Sequence, residues 1–100
     1  MDIVEISKVL SNKTRVNILK WLREPEKHFP PHVDIEGFDD GVCVGYIQDK
    51  TGLSQSTIST YLSGMQKAQL IIPTRHGKWT YYRRNERVIS AYINALSKDL

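Results

Sequence analysis

The sequence contains a single cysteine and no long apolar run. Cys43 is the one thiol among 100 residues, so no disulfide can form within the chain. No positively charged start leads into a hydrophobic segment, which argues against a signal peptide and against a membrane-spanning helix. We therefore expect a reduced, cytoplasmic protein without a membrane partner.

Motifs typical of catalysis or cofactor binding are also missing. The chain has serines and histidines, but no nucleophile elbow, phosphate-binding loop or carboxylate pair in a recognisable context. His28 and His32 are separated by Pro30 and Pro31, which prevent the helical spacing that would bring two imidazoles together on a metal. We expect no enzyme activity, no cofactor and no metal site, and a solvated loop around these histidines.

The size and composition fit one small globular domain, and its charge is unevenly distributed. Hydrophobic residues make up 40% and charged residues 25% of the chain, and a partner subunit would add burial that so short a chain lacks. The net charge of +3 permits a polyanionic partner without requiring one. Acidic side chains concentrate in residues 24–40 and basic ones in residues 75–87, giving an acidic loop and a basic end.

Helical periodicity and capping residues organise the first two thirds of the chain. A short opening helix is predicted first, then a helix capped by Ser11-Asn12 that runs through Leu22, then a long loop over residues 24–41. Val44 begins a short helix that stops at Gly52, and Ser54 caps the next helix. Two helices joined by so short a turn form a helix-turn-helix.

The last third changes from helix to strand and back. Residues 71–75 and 78–83 are predicted as strands around His76-Gly77, and Gly77 tolerates the positive φ that a tight hairpin needs. Asn85 then caps a final helix with a continuous apolar stripe. The predicted fold class is therefore mainly α-helical with a small β-hairpin, a winged helix-turn-helix, in a single domain over residues 1–100.

The second helix of the motif and the hairpin carry the residues suited to DNA. A recognition helix enters the major groove, so its exposed side chains should be polar and short, and cations at a hairpin tip can reach the phosphate backbone or the minor groove. His76 is expected to contact DNA or to be exposed. The side chains expected to contact double-stranded operator DNA are Ser54, Gln55, Ser56, Thr57, Ser59, Thr60 and Tyr61 on the helix and Arg75, His76 and Lys78 on the hairpin.

These segments resemble a known family. LSQSTISTYLSGMQKAQLI (residues 53–71) is similar to the recognition helix of the ArsR/SmtB winged-helix repressors, RHGKWTYYR (75–83) to their wing, and LSNKTRVNILKWL (10–22) to their second helix. The resemblance implies a homodimer joined through the first and last helices, and a repressor that releases its operator when it binds a signal. The interface residues expected on these helices are Ile3, Ile6, Leu10, Ile89, Tyr92, Ile93 and Leu96, although such stripes could equally pack on their own domain.

The metal sites of that family are not intact in this sequence. Where metal-sensing members carry a Cys-x-Cys pair, this chain has Cys43 alone between Val42 and Val44, and residues 86–100 contain no histidine. We expect Cys43 to be a small buried core residue and leave the effector unidentified. The alternative from another functional class is a winged-helix module that binds protein partners and not DNA.

Overall fold

The computed structural model describes residues 2–100 and contains six helices and three strands. Their bounds are α1 Ile3–Val9, α2 Lys13–Arg23, α3 Pro25–His28, β1 Val42–Cys43, α4 Val44–Thr51, α5 Gln55–Lys67, β2 Ile71–His76, β3 Trp79–Arg84 and α6 Glu86–Asp99. The predicted mainly helical winged helix-turn-helix is confirmed, with α4 and α5 as the motif and the β2–β3 hairpin as the wing.

Side-chain caps fix where the helices begin. The Asn12, Ser54 and Asn85 side chains accept hydrogen bonds from backbone N–H groups in the first turns of α2, α5 and α6, as the sequence predicts. Asp2 does the same for α1, accepting from the N–H groups of Val4 and Glu5 at 3.0 and 3.1 Å. Each cap satisfies a donor that would otherwise lack a partner within the helix.

Three sequence predictions need correction. The region predicted as a loop over residues 24–41 begins with the one-turn helix α3, which Pro25 starts at its first position. The hairpin turn lies at Gly77-Lys78 and not at His76-Gly77, because His76 pairs with Trp79 in the ladder. The sheet has three antiparallel strands in the order β1-β3-β2, since Val42 and Cys43 pair with Tyr82 and Tyr81.

One core joins the helices to the sheet. Its members come from α1, α2, α4, α5, the sheet and α6, and the most completely buried include Ile18, Ile47, Ile58, Leu62 and Met65. Ile58, Leu62 and Met65 lie on one face of α5, so burial of that face turns its opposite face outward. None of the helices in residues 2–100 is long and apolar enough to cross a membrane.

Candidate nucleic-acid interface

The first turns of α5 present short polar side chains to solvent. Gln55, Ser56, Ser59 and Thr60 are exposed, whereas Thr57 is half-buried. The Thr60 hydroxyl donates back to the carbonyl oxygen of Ser56 at 3.0 Å. Over the described residues, the side chains of Gln55 and Ser59 form no hydrogen bond, so they keep their donors and acceptors for a ligand.

The N-terminus of α5 also offers backbone donors. Ser54 Oγ accepts from the Thr57 N–H at 3.3 Å, and the Ser54 carbonyl oxygen accepts from the Ile58 N–H at 3.0 Å. The preceding N–H groups, those of Gln55 and Ser56, are the ones left for an anion at the positive end of the helix dipole. Thr57 is part of the cap itself, because its hydroxyl accepts from Ser54 Oγ at 3.0 Å.

Tyr61 is held against the beginning of α2. The amide of Asn12 donates to its hydroxyl oxygen over 3.3 Å, and the Arg15 guanidinium lies 4.9 Å from the centre of its ring. Arg15 is thereby placed beside α5, and it is not among the residues predicted from the sequence to contact DNA. No local signal identifies it, since its position depends on how α2 packs against α5.

The basic residues of the wing differ in their exposure and in the groups that they contact. Arg75 is exposed, and its guanidinium donates to the Gly77 carbonyl oxygen at 2.9 Å; Lys78 is exposed in the turn, with its amine 5.1 Å from the centre of the Trp79 ring. His76 contacts an acidic side chain instead: its Nε2 lies 2.6 Å from a carboxylate oxygen of Asp40. Arg84, at the other end of β3, donates to both carboxylate oxygens of Glu86.

His32 and Cys43 are buried, whereas His28 at the end of α3 is half-buried. His32 is 9% exposed, so the prediction of a solvated loop is wrong at this position: the imidazole is enclosed by aromatic side chains of the wing and α4. Cys43 is 2% exposed, and the prediction that it is a core residue is confirmed. Burial raises the pKa of the Cys43 thiol, which therefore stays protonated at neutral pH.

The predicted interface residues of the terminal helices lie in two environments. Ile6 is 4% exposed and packs in the core of its own chain, where Val88 from α6 joins it. Ile93 is 57% exposed. The Ser7 and Tyr92 hydroxyls form a 2.7 Å hydrogen bond that ties α1 to α6. The other predicted interface residues, Ile3, Leu10, Ile89, Tyr92 and Leu96, are half-buried in the single chain.

Comparison with known proteins places the chain among transcriptional regulators. No protein-family model matches it. It is 44% identical, over the full length of both chains, to YbzH, an uncharacterized HTH-type transcriptional regulator of Bacillus subtilis. It is 30% identical over 83 residues to ArsR2 of Halobacterium salinarum, a candidate arsenical resistance operon repressor, covering 83% of this chain and 59% of that protein.

The fold matches a solved structure of the same kind. The homodimeric winged helix-turn-helix DNA-binding domain of Mycobacterium bovis Mb0332, described as a candidate ArsR-family transcriptional regulator, superposes with a TM-score of 0.65. The match covers 97% of this chain and 77% of that one at 22% identity. Regulators of this kind are not enzymes, in agreement with the expectation from the sequence. The chain belongs to the HTH-type transcriptional regulators, has the winged helix-turn-helix fold and is similar to ArsR-family members.

Proposed function

We propose that this chain is a dimeric repressor in which α5 contacts the base edges of an operator and the wing contacts the DNA backbone. The observation that carries the proposal is the set of free donors and acceptors at the start of α5: the Gln55 and Ser59 side chains and the first two backbone N–H groups. A glutamine of this kind can bond bidentately to adenine in the major groove, while the N–H groups suit a phosphate. Arg75 and Lys78 add two exposed cations on the wing.

Dimerisation places both elements on the DNA twice. Among the described residues, four large apolar side chains are exposed: Val4 on α1, Ile93 on α6, Leu100 at the C-cap of α6, and Val33 in the loop that follows α3. Three of the four therefore lie on or next to the terminal helices. Burying this surface against a second copy is favourable, and Mb0332, which shares the fold, is described as homodimeric. A two-fold dimer would read an inverted repeat whose half-site centres lie about one helical turn, or a multiple of it, apart. Release by an effector of unidentified chemistry would complete the repressor cycle.

The test begins with a DNA duplex that the wild-type protein selects from a random pool, here called the selected duplex. Fluorescence anisotropy then measures its affinity, and that of a random duplex, at several salt concentrations. If Arg75 and Lys78 of two subunits each neutralise a phosphate, the slope of log K against log salt should be about −4 or steeper. A protein-interaction module would select no duplex and would show no such slope.

A further inference from the structure

The outer half of the wing has little support from the sheet. β1 pairs with β3 at Tyr81 and Tyr82 alone, so between Tyr81 and the turn the wing is a two-stranded hairpin. Two-stranded hairpins are marginally stable by themselves in water. The cations at the tip therefore need another element to hold them in one place.

The loop of residues 29–41, called the strap below, covers one face of this hairpin. His32 Nδ1 lies 3.0 Å from the Tyr81 hydroxyl. A carboxylate oxygen of Asp34 accepts a hydrogen bond from the Trp79 indole N–H. A carboxylate oxygen of Asp40 is hydrogen-bonded to His76 Nε2. Trp79 and Tyr81 are two residues apart on β3, and His76 is opposite Trp79 in the ladder. All three therefore point to the same side of the wing, which is the side that the strap occupies.

His32 is the buried anchor of the strap. The centres of the Tyr46, Trp79 and Tyr81 rings lie 5.0 to 5.3 Å from that of its imidazole. Because the Asp34 backbone N–H donates to His32 Nδ1 at 3.1 Å, this nitrogen is an acceptor. Burial and the nearby Asp34 carboxylate raise the pKa of Tyr81, so its hydroxyl stays protonated and donates to the same nitrogen.

The end of the strap is fitted against β3 by a close backbone approach. Gly41 has a φ of +95°, and a Cβ built there would lie 1.8 Å from the carbonyl oxygen of Tyr82. A side chain at this position would collide with backbone that cannot easily move. The strap therefore returns to the sheet along a path that requires glycine.

The contacts of the strap favour support of the wing over repulsion of DNA. The strap is acidic, and carboxylates near a DNA-binding wing would weaken affinity through like charge. Two of them, however, are engaged in hydrogen bonds with His76 and Trp79. Arg75 bonds to Thr80 on the opposite face of the hairpin, where the strap leaves it accessible.

We propose that the strap positions the wing for DNA, with Asp34 and Asp40 as its positioning residues, and that it withholds His76 from DNA contact. This inference rests on the proposed role of the wing in DNA binding. It assigns to the acidic loop the task of ordering a hairpin that presents Arg75 and Lys78.

Two matched double variants distinguish an effect of the strap on the position of the wing from an effect of the strap's charge. Asp34→Ala with Asp40→Ala removes both carboxylates and their acceptor oxygens. Asp34→Asn with Asp40→Asn removes the same charge but keeps an oxygen that can accept from Trp79 and His76. We expect amide exchange over residues 76–80 to be about tenfold faster in the alanine pair than in the asparagine pair.

The indole N–H resonance of Trp79 gives a second readout that needs no DNA. It should move toward the position of a solvated indole in the alanine pair and stay near its wild-type position in the asparagine pair. The alanine pair should also bind the selected duplex about fivefold more weakly than the asparagine pair, since only a fraction of its wings are in the binding geometry.

Other results would overturn the proposal. Equal amide exchange in both pairs and in the wild type would mean that the strap does not order the wing. Equal affinity of the two pairs, with both binding more tightly than the wild type, would mean that the strap acts through its charge. Failure of the proposed function has a different signature, namely no salt-dependent DNA binding by the wild type, and the exchange data would still decide whether the strap orders the hairpin.

Discussion

Replacing Gln55 with alanine tests whether α5 reads the operator. The side chain is exposed in the first turn of α5 and forms no hydrogen bond within residues 2–100, so its loss should change folding stability by less than about 0.5 kcal/mol. If it bonds bidentately to a base, each contact is worth about 1–3 kcal/mol of discrimination. Two copies per dimer then remove at least about 2 kcal/mol, or roughly a 30-fold loss on the selected duplex.

The assay compares anisotropy titrations of the selected and random duplexes at one salt concentration. Affinity for the random duplex should change by less than about twofold, because phosphate contacts remain in place. Gln66→Ala is the matched control, since Gln66 is an exposed glutamine in the last turn of the same helix. An equal loss on both duplexes, or no loss on either, would refute the assignment of Gln55 to a base.

Three further predictions follow from the wing, the core and the terminal helix. Arg75→Ala or Lys78→Ala should weaken binding to both duplexes and make the salt slope shallower by about one to two units, whereas Lys20→Ala on exposed α2 surface should leave the slope unchanged. Cys43→Ala should lower the free energy of unfolding by about 1 kcal/mol in urea titrations, because it removes a buried thiol and leaves a small cavity; an unchanged midpoint would contradict this. Ile93→Lys should leave the subunit folded by circular dichroism yet shift sedimentation to the monomer, and a variant that remains dimeric would remove Ile93 from the interface.

Local rules were sufficient for five of the six helices, all except the one-turn helix α3. A polar N-cap followed by apolar residues at helical spacing specifies a segment through contacts within a few positions, which is why Asn12, Ser54 and Asn85 could be identified as caps. The same spacing identified the buried face of α5 and therefore the outward polar face that includes Gln55. The sequence thus determined the helix-turn-helix, the wing and most of the candidate interface.

Contacts between distant parts of the chain decided the rest. β1 forms because Val42 and Cys43 pair with residues of β3 that are 38 or more positions away in the sequence. A strand of two residues is too short to show a periodicity by which it could be predicted. The strap follows from pairings such as His32 with Tyr81, 49 positions apart, so a segment without regular structure became an ordered support for the wing. Packing of the whole core, and not local sequence, decides which surfaces meet. It therefore decides that His32 is buried, that His76 contacts Asp40 and that Arg15 lies beside Tyr61.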